Sequence, residues 1–144
     1  MRIKAFILMV AVMFFPGVDG MAGDFTDNGD GTVTDNVTCL MWQQGEAGSM
    51  NWEDAITYCK ALYLAGYTDW RLPNIKEMES ITDDTLYGPA IDTTYFPDVH
   101  GWYYSSTSGL GIYSPAWCVS FVTGHVSSHG KSNRFYVRCV RGGQ

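Results

Sequence analysis

The chain has 144 residues with 9 basic and 15 acidic side chains, a formal charge of −6, and that length allows one domain rather than two. The acidic balance argues against general binding to DNA, RNA or an anionic membrane, where Lys and Arg must neutralise phosphates. No repeat, low-complexity tract or linker interrupts it.

Residues 1–23 read as a leader. Arg2 and Lys4 give a positive start, Ala5 to Phe15 is an apolar run, and Gly20, Ala22 and Gly23 are small residues that suit cleavage. The run falls short of the roughly 20 residues a bilayer-spanning helix needs. The expectation is a secreted, periplasmic or cell-surface protein with no membrane insertion after cleavage. The leader takes Arg2, Lys4 and Asp19 with it, leaving 7 basic and 14 acidic side chains on residues 24–144. Cys39, Cys59, Cys118 and Cys139 all follow it. In an oxidising compartment four cysteines imply two disulfides, with three pairings open on sequence alone. There is no CxxC pair to suggest a metal site.

The first element is a hairpin. Phe25–Asp27 and Thr32–Thr34 flank Asn28-Gly29-Asp30-Gly31, a tight-turn signature. A calcium loop fails on register, because Gly31 at its sixth position puts Thr26 at the first and Val37 at the twelfth. Val37–Gln43 reads as a strand, with Leu40 and Trp42 on one face and Cys39 and Met41 on the other. Gly45–Ser49 reads as a loop.

A helix follows. Trp52, Ala55, Ile56, Cys59, Leu62 and Tyr63 form one apolar stripe at helical spacing, capped by Asn51 and stopped at Gly66. Pro73 forces Trp70–Leu72 to be extended. Asn74 and Glu77 are spaced as a capping box for a short second helix that turns Ile75, Met78 and Ile81 inward. Thr82–His100 is a long irregular connection, of the kind that carries function. Strands are expected at Trp102–Ser106, Pro115–Val122 and Arg134–Arg141, separated by turns at 108–114 and 125–133. The class is α+β, with antiparallel strands at both ends of the chain and two helices between.

The runs Asp69-Trp70-Arg71-Leu72-Pro73-Asn74, Ala55-x-x-Tyr58-Cys59 and Lys76-Glu77-x-Glu79-Ser80-Ile81 resemble the Lcl C-terminal domain family, named after the tip of a Legionella collagen-like adhesin. Phe25–Asn36, Leu40-Met41-Trp42, Tyr104-Ser105-Ser106 and Val137–Arg141 resemble it too. The resemblance implies a C-type-lectin-like fold, shared with the formylglycine-generating enzyme, with antiparallel sheets and a long loop region. It also implies a bridge between Cys59 and Cys139, which would leave Cys39 and Cys118 as the second pair.

Residues suited to catalysis are sparse. There is no G-x-S-x-G, and the active cysteine motif of the formylglycine-generating enzyme has no counterpart, although an enzyme or enzyme accessory of that branch is the alternative reading. His100, His125 and His129 have no ligand spacing, so no metal or other cofactor is expected. Asp83, Asp84, Asp92 and Asp98 show no pairing of acid and nucleophile. The calcium-dependent sugar motifs of C-type lectins are absent.

A binding surface remains. Tyr87, Tyr95, Trp102, Tyr103 and Tyr113 lie beside loops, while Trp42, Trp52, Trp70 and Trp117 are expected in the core. Lys131, Arg134, Arg138 and Arg141 cluster late, with His125 and His129 near. The competing reading has Arg71 and Arg138 pairing with acids inside the fold. The candidate ligand-binding residues are Trp102, Tyr103, Tyr113, His125, Lys131 and Arg134, on a face built from the 82–101 loops and the turns around Gly109 and Lys131. The partner would be an extracellular glycan, sulfated or otherwise, or a protein.

Overall fold

A computed structural model describes residues 23–143. The expected leader lies outside them, apart from Gly23. The chain begins with β1 (Phe25–Asp27), β2 (Thr32–Asp35), β3 (Met41–Gln43) and β4 (Ala47–Met50), followed by α1 (Trp52–Ala61) and α2 (Ile75–Ser80). Then come β5 (Trp102–Ser108), β6 (Ala116–Ser120), β7 (Val126–His129), β8 (Phe135–Val137) and β9 (Val140–Arg141). The class is α+β, as the pattern of elements predicts. One sheet has the order β1-β2-β3-β9 and the other β4-β8-β5-β6-β7. Every pairing is antiparallel except β5 with β8.

The first hairpin forms as its sequence directs, and its acids serve the backbone. Asp27 accepts from the Gly29 amide at 2.9 Å, and Asp30 accepts from the Thr32 amide and hydroxyl at 3.1 and 2.6 Å. The strand expected from Val37 begins later, at Met41. Asp35, almost wholly buried, accepts from the Val37 and Thr38 amides and the Thr38 hydroxyl, and so curls the chain into a turn. Cys39 sits in that turn with φ of 60° and is exposed, whereas Cys118 is buried in β6. The second expected disulfide is therefore absent, and both thiols are free. Cys59 and Cys139 are bonded, with their Cα atoms 5.6 Å apart.

Asn51 caps α1, accepting from the Asp54 amide at 2.9 Å. The helix ends earlier than its apolar stripe suggests, because Leu62 is extended and Tyr63 is exposed. Gly66 serves a different turn, closed by the Leu64–Tyr67 bridge, in which Ala65 and Gly66 both take positive φ. The Trp70–Leu72 segment is extended as Pro73 requires. Arg71 exchanges two 2.9 Å backbone hydrogen bonds with Val140 and so fastens this segment beside β9. The Asn74–Glu77 capping box is complete, and the Glu77 carboxylate also takes both ends of the Arg71 guanidinium, at 2.7 and 2.6 Å.

Two clusters make the core. One joins Val33, Leu40, Trp42, Met78, Phe96, Tyr103 and Val140 between the sheets and α2. The other packs Ala55, Cys59, Trp70, Tyr104, Cys118 and Val137 under α1. The 82–100 connection is irregular, yet Ile91 and Phe96 anchor it in the first cluster. Ala90 also donates its amide to the Phe121 carbonyl at 2.8 Å. Three local expectations fail. The 45–49 and 125–133 segments contain β4 and β7, and the single closing strand is broken at Arg138 into β8 and β9.

Candidate functional site

The late basic residues do not form one patch. Arg138 is fully buried. Its Nη1 donates to the carbonyls of Gln43, at 3.0 Å, and Gln44, and its Nη2 donates to that of Asp98 at 2.8 Å. Among the described residues no carboxylate pairs with it; burial pushes its guanidinium pKa down, against the pull of nearby Tyr103, Glu46 and Asp98. Arg138 therefore holds the end of the long connection to the β3–β4 turn. Arg141 is paired with Asp69 at 2.7 Å and lies 3.7 Å over the Tyr67 ring.

Tyr103 is likewise removed from any ligand. It is fully buried, and its hydroxyl donates to Glu46 and accepts from the His100 amide at 3.0 Å. Burial, then the Glu46 hydrogen bond, raise its pKa. His100 also reaches Glu46 and stacks on Tyr136 with ring centroids 4.6 Å apart. Tyr103 and Glu46 lie behind the surface while His100 reaches it, and together they fasten the long connection.

The other candidates reach the surface at three places. Lys131 stands on a turn held from below, where the Tyr104 hydroxyl lies 2.8 Å from the Gly130 carbonyl and 3.0 Å from that of Asn133. The Lys131 carbonyl accepts from the Trp52 amide at 3.0 Å, so the turn abuts the start of α1. Lys131 Nζ lies 4.0 Å over the Trp52 ring and donates to Ser108 and Ser114 at 3.1 and 3.2 Å. Trp52, expected in the core, is only half-buried, and its indole N–H donates to the Ser105 carbonyl at 2.8 Å. Beside it Asn51, Glu53, Lys131 and Ser132 line an open groove of about 350 Å³. Arg134 is exposed nearby and donates to the Ser49 carbonyl at 2.5 Å.

Tyr113 lies at the tip of the β5–β6 turn, 94% exposed, between Ile112 and Ser114. Trp102 is half-buried, with its ring 4.7 Å from that of His129, which in turn meets Phe135 at 5.1 Å. His125 is exposed on the turn before β7. Trp117, expected in the core, is 39% exposed because it points outward from β6 opposite Ser128. The structure thus brings Lys131 together with Trp52, which sequence reasoning had assigned to the interior. Its place at the first turn of α1 was the available signal: position 52 begins the stripe, and only later turns are fully enclosed.

Among the described residues no three His, Cys, Asp or Glu side chains gather to hold a metal ion. Asp83 and Asp92 accept from the amides two residues on, so they shape the long connection. Burial pushes the Cys118 thiol up to about 12, the opposite of what a nucleophile requires. No helix among the described residues is long and apolar enough to cross a membrane. The family model described as the Lcl C-terminal domain matches residues 31–141. No curated protein matches the chain. With most of its length accounted for by that model, the chain belongs to the Lcl C-terminal domain family.

Proposed function

We propose that this is an exported adhesion-type module that binds a hydroxyl-rich glycan, without turning it over, in the groove between the start of α1 and the Lys131 turn. The observation that carries the reading is Trp52 overlain by Lys131, beside Asn51, Glu53 and Ser132. The mixed donors and acceptors that line the groove match sugar hydroxyls, and Trp52 beneath Lys131 gives the ammonium a fixed seat at its edge. The family relationship to an adhesin supports the same reading, although fold and family alone do not decide a ligand. With Arg138 buried and Arg141 paired, only Lys131 and Arg134 remain near the groove to meet an acidic sugar, and Glu53 opposes them. A neutral or singly charged glycan therefore fits better than a heavily sulfated one. The buried Cys59–Cys139 bridge suits a compartment outside the cytoplasm.

The experiment is a glycan array with the whole protein, repeated for Lys131→Ala, Arg134→Ala and Glu53→Ala. Loss of signal in Lys131→Ala and Glu53→Ala is expected. Equal binding by Lys131→Ala and Glu53→Ala, or no glycan bound by the unchanged protein, rejects the groove.

A further inference from the structure

The acidic total conceals a division. Every Asp and Glu of the chain lies at or before position 98, while Lys131, Arg134, Arg138 and Arg141 all follow it. The strands β5 to β9 therefore carry no acid of their own on a protein of net negative charge. The turn between β5 and β6 projects Leu110, Ile112 and Tyr113, which are 100%, 97% and 94% exposed. Surface apolar residues are common singly, but three on one turn, all turned to solvent, indicate an interaction site.

The turn is built rather than slack. The Gly109 amide donates to the Pro115 carbonyl at 2.7 Å, and the Ser114 amide donates to the Gly111 carbonyl at 3.0 Å. Gly109 is required here, because a Cβ at that position would stand 2.9 Å from the Pro115 ring. Lys131 ties Ser108 on one leg to Ser114 on the other. The apolar tip thus stands on a hydroxyl-rich stem crossed by an ammonium group.

We propose that the 109–115 turn is a lipid-docking tip, which sinks Leu110 and Ile112 into the outer edge of a bilayer and leaves Tyr113 and Lys131 at headgroup level. Two observations favour a bilayer over a protein pocket. Three such side chains offer on the order of 400 Å² of apolar surface, below the roughly 800 Å² each partner covers in a stable protein complex. A bilayer asks only for apolar side chains with a tyrosine and a cation beside them, and for no complementary shape. Lys131 and exposed Arg134 suit anionic headgroups, since these strands carry no acid and the one acid lining the groove beside Lys131 is Glu53 of α1. This inference goes beyond the glycan groove: its apolar side chains, Leu110, Ile112 and Tyr113, are not those of the groove, and Lys131 alone borders both.

The test is sedimentation of the whole protein with vesicles of phosphatidylcholine and phosphatidylglycerol, beside a triple variant Leu110→Ser, Ile112→Ser, Tyr113→Ser. Both proteins carry the same N-terminal segment. The three side chains are almost wholly exposed, so the variant should melt at the same temperature as the parent. Partition is expected to fall by about tenfold or more, and the 109–115 amides of the parent to exchange more slowly on vesicles. Equal partition by the variant, or unchanged exchange at 109–115, overturns the proposal. A dimer that the triple substitution abolishes, with no vesicle binding, would assign the tip to a second copy and overturn it as well. The variant keeps the Trp52 groove, so glycan binding and vesicle binding succeed or fail separately.

Discussion

Reducing the Cys59–Cys139 bridge tests what holds the two core clusters in register. The bridge joins α1 to Cys139, one of the two residues between β8 and β9, across a separation of 80 residues, and both cysteines are fully buried. Opening a loop of that length returns chain entropy to the unfolded state worth about 4.5 kcal/mol, against a typical domain stability of 5–15 kcal/mol. Little packing is lost with it, since two thiols occupy nearly the same space. The assay is guanidinium unfolding followed by tryptophan fluorescence, with and without dithiothreitol. At a slope of about 4 kcal/mol per molar, usual for a domain of this size, the midpoint should fall by about 1 M. Thiol titration in denaturant sets the baseline: two free thiols without reductant, from Cys39 and Cys118, and four with it. A midpoint that moves by less than about 0.2 M would refute the cross-link as a main support. A baseline of no free thiols would refute the free state of Cys39 and Cys118, and a baseline of four would refute the bridge.

Arg138→Met should cost about 3–5 kcal/mol, read from the denaturation midpoint, because it strands the carbonyls of Gln43, Gln44 and Asp98 without a donor. A near-neutral result would mean those carbonyls find water. Burial raises the Glu77 carboxyl, but Arg71 and the Asn74 amide together hold its pKa below the ordinary 4.5. A depressed pKa stabilises the fold above the ordinary value and is lost as pH falls, so melting temperature should drop more steeply below about pH 4.5 for the parent than for Glu77→Gln. Parallel profiles would contradict it. Ala65, at φ of 54°, occupies a position that glycine fills more easily, and Ala65→Gly should stabilise by about 0.5–1 kcal/mol in the same denaturation assay. Ala65→Val should do the reverse.

Local signals were legible and long-range ones were not. Both helix caps could be read because a cap depends on residues three apart, Asn51 with Asp54 and Asn74 with Glu77. The strand β4 could not be read, since Ala-Gly-Ser-Met has no alternation; it exists because β8 presents a free edge to it. The strand β7, Val-Ser-Ser-His, is likewise recruited by β6. The break in the closing strand is a matter of topology: β8 belongs to the five-stranded sheet and β9 to the four-stranded one, so the chain must change layers between them. Arg138 and Cys139 sit at that crossing. At the surface, Lys131 and Tyr113 could be named from their turns. Leu110 and Ile112 fall in the 108–114 turn, where no periodicity tells which way an apolar side chain faces, and the stripe of α1 points Trp52 to the core.

The fastening is concentrated where the chain ends its course. Cys139 carries the bridge, Arg138 takes three main-chain carbonyls, and Val140 trades hydrogen bonds with Arg71, while Arg141 holds Asp69. These contacts reach α1, the β3–β4 turn, the long connection and the extended Arg71 segment, so four consecutive residues, 138–141, tie together elements from most of the domain. The Lys131 side chain and the β5–β6 tip carry little of this load, since that side chain meets only two serines and one tryptophan face and the tip's apolar side chains face solvent. Substitutions at the tip should therefore cost almost no stability, whereas substitutions at the crossing should unfold the domain before they alter any binding. That separation allows one frame to present different side chains to different ligands, because the residues that meet the ligand are not the residues that close the fold.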